Sequence, residues 1–244
     1  MTEYSKMVTG IYVLQGGTVY AEMTDVTEPD VSNEKVDTTT HDGGGVSSRI
    51  PGLQTYGDMS FKVHFIDDTA QAAVRTAIVA KTVALWQIAY PASFGTFGVQ
   101  FNGFPLSAKK TTPLKGSPPT WTLTISPSST TTELTSASPN LTTPFLAIAD
   151  QSSNALTLTP SAAAAAYNYD CILYADDTAV TITPTATSGT IYVNGTVVAT
   201  GIASGSISIP VTVAERTIFV VVVTSNDVPT VYRIRFIRGI ANHP

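Results

Sequence analysis

The sequence predicts a mainly β protein with two β domains: an N-terminal sandwich or barrel carrying one α-helix, then a smaller β-sandwich. Three observations predict it. Only 13% of the 244 residues are charged, about half the usual share, and Ser and Thr take their place, a bias that favours sheets. Two-residue alternation recurs, most clearly in Met59–Phe65 and Thr120–Ile125, whereas helical spacing is convincing only once. Asn194-Gly195, between I-Y-V and T-V-V, is the strongest hairpin signal in the chain, because a type I′ turn needs positive φ at both central positions.

In order, residues 1–10 read as a polar N-terminal arm, followed by a short strand over Ile11–Leu14 and the Gly16-Gly17 turn. A second strand, Thr18–Val26, places Tyr20, Glu22, Thr24 and Val26 on one face. From about Thr27 to Ser48 the pattern is that of a long loop. Seven acids between Glu22 and Asp42 face one base, Lys35, and Gly43-Gly44-Gly45 excludes a helix or strand interior. A loop this long in a compact domain is usually functional. The strand Thr55–Ile66 follows, with Met59, Phe61, Val63 and Phe65 on the buried side and Asp58, Ser60, Lys62 and His64 on the wet side. His64 is therefore expected at the surface or at a subunit interface.

Asp68 as N-cap with Gln71 forms a capping box. Ala70, Ala73, Val74, Ala77 and Ile78 then make a stripe for packing on a sheet, and Lys81 suits the negative pole of the helix. Further strands are expected at Val83–Tyr90, Thr96–Asn102, Phe104–Thr111 and Thr120–Ile125, with Gly103 turning between the middle two. The first domain spans 1–126. The Ser, Thr and Pro of 127–143 read as a linker, placed at 127–148, and the second domain occupies 149–244. Its strands are expected at Ala155–Leu158, Tyr169–Tyr174, Ala179–Thr185, Thr190–Val193, Thr196–Thr200, Ser206–Ile209, Thr217–Thr224 and Thr230–Phe236, with Ala162–Ala166 as a loop. Turn signals near every ten residues fit an Ig-like sandwich.

Composition and motifs exclude several functions. A net charge of −5 argues against a protein that grips nucleic-acid phosphate. The lone Cys171 rules out a disulfide framework and reads as a small buried hydrophobe. The N-terminus shows no apolar signal run and no stretch reaches the roughly 20 apolar residues of a membrane span; synthesis and solubility in the cytoplasm are expected. His41-Asp42 reads as a solvated turn without a partner, and His243 lies in the tail. Gly43-Gly44-Gly45 lacks the G-K-[ST] ending of a phosphate loop. Asp176-Asp177 reads as a turn, since calcium needs further oxygen ligands. No catalytic, cofactor or metal constellation is expected, and hence no enzyme.

The long loop followed by I-P-G-L-x-x-x-G-x-x-S-F (Ile50 to Phe61) resembles the ring-stacking loop and following strand of tail tube proteins from long-tailed, siphovirus-like bacteriophages. The runs Val180–Ile209 and Ile218–Phe236 resemble the cadherin-like or Ig-like β-sandwich modules of bacterial and phage surface proteins, over roughly 150–239. The first resemblance implies a structural virion protein whose hexameric rings stack into a tail tube for genome ejection, with the Ig-like module decorating the outside. The inter-ring loop would carry Glu28, Asp30, Glu34, Lys35, Asp37, His41, Asp42, Gly43, Gly44, Gly45 and Arg49, and Glu22, Asp25, Asp58 and Lys62 would face the lumen. Weakly acidic, hydroxyl-rich walls would repel phosphate, so DNA passes without specific binding. Implied partners are further copies of the chain and tape-measure, tail terminator and tail tip proteins, with weak host-surface contact open to the outer module and no membrane insertion. Assembly in the host cytoplasm and residence in the virion tail follow. The alternatives are a secretion-system tube protein, against which the linker and second sandwich count, and a surface adhesin, against which the absent signal run counts.

Overall fold

The computed structural model describes residues 11–20, 23–38, 49–64, 69–90, 97–111, 119–161, 166–224 and 227–241, with the backbone alone given at 69–74 and 143–145. The protein is mainly β, with one helix among the described residues. Its contacts divide the chain into two compact units, one formed by Met1–Val13, Tyr20–Ile88 and Val99–Glu133 and the other by Leu14–Val19, Ala89–Gly98 and Leu134–Pro244. No helix among the described residues is long and apolar enough to cross a membrane.

The first half contains β1 (Tyr12–Gln15), β2 (Thr18–Tyr20), β3 (Met23–Thr27), β4 (Val31–Asp37), β5 (Arg49–Tyr56), β6 (Met59–His64), α1 (Thr69–Ala80), β7 (Ala84–Ala89), β8 (Gly98–Thr111), β9 (Thr120–Pro127) and β10 (Thr132–Leu134). The main sheet runs β2-β1-β7-β8-β9-β6-β3, with β10 also paired to β8. Its two edge strands, β2 and β3, are separated by only two residues. Three Cα–Cα steps span no more than about 11 Å, so the two edges must approach each other and the sheet must roll. The side chains agree. Tyr20 of β2 meets Phe61 of β6 at 5.2 Å and Trp86 of β7 at 5.8 Å, and the Phe61–Trp86 centroids lie 6.0 Å apart. All three rings are buried, and the Trp86 Nε1–H donates to the Gly103 carbonyl at 3.2 Å.

Alternation fixes what lines this interior. β6 and β9 pair Met59 with Ile125, Phe61 with Leu123 and Val63 with Trp121, all buried. The helix covers the same face, where Ala77 is buried and the Arg75 guanidinium lies 5.1 Å from the Trp121 ring centroid. Its end forms a Schellman motif: the Lys81 and Thr82 N–H groups donate to the Ile78 and Ala77 carbonyls, and Lys81 adopts φ 53°. The expected capping box at Asp68 lies outside the described residues.

Several expectations need correction. The strand expected over Thr18–Val26 is two strands on opposite edges of the sheet; unbroken alternation cannot show that the pairing partner changes. The strand expected over Thr55–Ile66 is broken at Gly57-Asp58, and Val31–Asp37, expected as loop, is a strand. Gly103 makes no turn but lies within the 14-residue β8. A side chain there would fall 2.8 Å from the Ser126 carbonyl oxygen and 2.9 Å from the Phe101 ring, so glycine permits close approach. His64 is buried, with 7% exposure. Alternation sets which way a side chain points, not what covers it.

The second half contains β11 (Leu141–Asp150), β12 (Ala155–Leu156), β13 (Leu158–Thr159), β14 (Asn168–Leu173), β15 (Ala179–Ala186), β16 (Thr190–Val193), β17 (Thr196–Val198), β18 (Ile207–Ser208), β19 (Glu215–Val223) and β20 (Thr230–Arg238). Sheets of order β12-β11-β15-β18 and β13-β14-β20-β19-β16-β17 pack on one core, built from Leu146, Ile148 and Ile182 on one side and Cys171, Ile218, Tyr232 and Phe236 on the other. Burial pushes the Cys171 thiol up to about 12, so it packs as a hydrophobe. Asn194 and Gly195 have φ 50° and 79°, as the β16–β17 turn requires. Ala162–Ala165 lie outside the described residues.

β10 falls inside the stretch whose composition reads as a linker, and β11 begins within it. Its polar groups act as pins. The Ser138 N–H donates to the Val228 carbonyl (2.9 Å), the Ser138 carbonyl accepts from the Thr230 hydroxyl (2.7 Å), and the Leu141 N–H donates to the Tyr232 hydroxyl (2.8 Å). A hydroxyl-rich segment thus finds its partners in the protein instead of water.

Two predictions follow from local chemistry. Lys81→Gly removes the cost of a left-handed non-glycine residue and raises stability by about 1 kcal/mol in denaturant unfolding. Burial lowers the pKa of His64 below its ordinary 6.5. The unfolded chain then binds more protons as pH falls through 6.5, so stability drops over that range. Thermal melts of His64→Leu show a smaller slope there than those of the wild type.

Candidate functional site

Two surfaces of the first half hold the residues singled out from the sequence. The first is the β4–β5 ribbon, which pairs with no other described strand. It continues the β3–β6 pair, but both chains break at one level: Thr27 pairs with Ser60 below, and Val31 with Tyr56 above. Between them the Gly57 N–H donates to the Asp30 carbonyl at 2.9 Å. A side chain on Gly57 would meet the Asp30 carboxylate, so glycine lets Asp30 lie across the joint.

Every residue of β4 is exposed, as are most of β5. Register places Val31 opposite Tyr56 and Val36 opposite Ile50, and alternation along β4 puts the two valines on opposite faces of the ribbon, with 50%, 42% and 52% exposure at Val31, Val36 and Ile50. Leu53 is 74% exposed. The register shifts between Asn33 and Lys35, where Gly52 and Leu53 together oppose Glu34, a bulge in β5. A side chain at Gly52 would come within 2.8 Å of Val36. Asp37 faces Arg49 across the ribbon, Lys35 faces Pro51, and the Ser32 and Thr55 hydroxyls lie 2.9 Å apart. A two-stranded ribbon wet on both faces is marginal by itself.

Glu28 is half-buried where β3 ends. Burial first, then the charge of Glu133, hold its carboxyl above the usual range. Glu133 lies on β10, in the stretch read as a linker, and sequence reasoning missed it for that reason. His41, Asp42, Gly43, Gly44 and Gly45 lie outside the described residues.

The second surface is the outward face of β3, β6, β9 and β8. Asp25 stands opposite Lys62, Lys62 opposite Thr122, and Thr122 opposite Lys109, a row across four strands. Ser60, Thr124 and Ser107 form the next row. Asp25, Lys62 and Lys109 are exposed, and Asp58 is exposed just before β6 begins. Glu22 lies outside the described residues. Lys109 was missed, though its alternation with Ser107 and Thr111 was a readable signal. With it, the described part of this face balances acids against bases and is not acidic.

No group of three or more His, Cys, Asp or Glu among the described residues could hold a metal ion. Asp177 is buried, and its carboxylate accepts the Tyr174 N–H at 2.8 Å, which closes the turn at Asp176-Asp177.

No protein-family model matches the chain, and no curated protein sequence does. Solved structures resemble it in part. A chain of the anti-feeding prophage baseplate is 7% identical, with 52% of this chain and 91% of that chain covered and a TM-score of 0.44. A chain of the sheath/tube terminator of the extracellular contractile injection system PVC is 17% identical (55% and 99% covered, TM-score 0.44). A chain of a gene transfer agent virion is 16% identical (50% and 94%, TM-score 0.42). Likenesses of this size establish neither family nor function.

Neutralising one carboxylate tests the joint. The folded state binds the Glu28 proton more tightly than the unfolded chain, so stability falls as pH rises above the ordinary 4.5. Glu28→Gln removes that loss and melts higher than the wild type at pH 7, with the two converging in acid.

Proposed function

We propose that the chain is a structural subunit of a bacteriophage tail, with no enzymatic step: hexameric rings of its first domain stack into the tube through which the genome leaves. The observation that carries this reading is the ribbon, which holds Val31, Val36, Ile50 and Leu53 out in solvent. Exposed apolar residues on a marginal two-stranded element mark a surface awaiting a partner. In this reading the partner is the next ring, and Glu28, Asp30, Glu34, Lys35, Asp37 and Arg49 set the register of stacking.

The outward face bearing Asp25, Asp58, Lys62 and Lys109 lines the lumen. Few charges among many hydroxyls suit a conduit, because a fixed charge of one sign would either hold phosphates or exclude them. The domains are proposed at 1–126 and 149–244, with 127–148 joining them. The second is an Ig-like module on the outer surface of the tube. Tape-measure, terminator and tip proteins complete the particle, assembled in the host cytoplasm.

The Gly57–Asp30 hydrogen bond brings the ends of the ribbon together, so residues 31–56 can be replaced by an Asn-Gly turn without disturbing β3 or β6. Electron microscopy of the concentrated wild-type protein is expected to show rings or tubes with a central hole. The replacement variant stays a folded monomer, loses only the strand signal of β4 and β5 in the far ultraviolet, and forms no tubes. Normal polymerisation of that variant rejects the stacking role.

A further inference from the structure

We propose that Arg238 is the resident cation of a carbonyl cage that closes one end of the second-half sandwich, a site selective for a guanidinium group. Arg238 ends β20, and its side chain turns inward to six backbone carbonyl oxygens from two loops. Its Nη1 donates to Tyr174 (3.1 Å), Ala175 (2.9 Å) and Asp177 (2.8 Å), from the turn between β14 and β15. Its Nη2 donates to Ile209 (3.1 Å) and Pro210 (3.2 Å), and Nε to Val213 (3.4 Å), from the segment between β18 and β19.

Converging carbonyl oxygens repel one another and need a positive charge among them, the role that bound metal ions fill in oxygen-lined sites. Here the charge is covalently part of the chain. The cage is built to present its oxygens, because the Asp177 carboxylate holds the Tyr174 N–H and fixes the turn from behind. The chain beyond Arg238 is fastened to the same turn: the Gly239 N–H donates to Leu173 and the Ala175 N–H to Ala241, each at 2.8 Å. A side chain at Gly239 would lie 2.8 Å from the Leu173 carbonyl oxygen, so the close approach needs glycine. The planar fork of a guanidinium reaches both loops at once; a lysine ammonium is a single point of charge and holds one. The end of the sandwich is therefore set without a divalent ion.

Arg238→Ala in the full chain tests this by chemical rescue, read as thermal melting. The variant is expected to melt about 5 °C or more below the wild type. Millimolar methylguanidinium restores part of the loss saturably, whereas methylammonium at the same concentration does not, and Arg238→Lys stays near the alanine variant. Equal effects of the two cations, or wild-type stability in Arg238→Lys, overturn the proposal. Should Arg238→Ala not fold, the wild type itself decides. Nuclear magnetic resonance of the native chain is expected to show separate, slowly exchanging Nη protons for Arg238; a single averaged signal overturns the proposal. A higher wild-type melting temperature in calcium than in chelator also overturns it.

Discussion

Closure of the first sheet around Tyr20, Phe61 and Trp86 is the constraint on which the rest of the N-terminal half depends. These residues come from strands at different places in the sheet order, and only a rolled sheet lets them touch. Aromatic side chains bury roughly 150–250 Å² each, so each contributes on the order of 4–6 kcal/mol as an upper bound. A surface ion pair contributes about 1 kcal/mol or less, and this applies to the bidentate Arg235–Asp170 pair between β20 and β14, whose side chains are 28% and 42% exposed, respectively. The aromatic interior therefore sets the shape, and the polar outer face is free to carry function.

The interior also explains why the ribbon can stand apart. β3 and β6 are anchored by Met23, Met59, Phe61 and Val63, all buried, and their continuation has no such anchor. Apolar spacing stops at Thr27 on one chain and resumes at Met59 on the other. Between those points the sequence supplies Pro29, Asp30, Gly57 and Asp58, residues that interrupt a ladder. The same covalent hairpin is thus core at its base and solvent-exposed beyond the joint.

What the sequence disclosed follows from which forces are local. The β6 and β9 faces, the helix Thr69–Ala80, the type I′ turn at Asn194-Gly195 and most strands of the second half were legible because period and turn chemistry are properties of neighbouring residues. Long-range pairing was not. Nothing near Thr18–Val26 signals that its two parts join opposite edges, and the burial of His64 depends on what lies over its face. The acidic stretch from Glu28 to Asp37 reads as loop because its residues are polar, yet cross-strand pairing with Arg49–Tyr56 makes it a strand. Ser138 and Asn140 read as linker for the same reason, although Ser138 and Leu141 are bonded into the β19–β20 end of the sandwich. Of the candidate site, the charged positions were visible one by one; their rows across the sheet were not.

The parallel pairing of β14 with β20, in register from Asn168–Arg233 to Leu173–Arg238, has a mechanical consequence. β20 is also flanked by β19, antiparallel, from Glu215–Ile237 to Val222–Thr230. Tension applied to the chain beyond Arg238 runs along β20 and loads the rungs on both sides together, in shear. They must fail collectively, whereas a hairpin peeled from its end yields one rung at a time. A sandwich pulled from that end is a stiff tether.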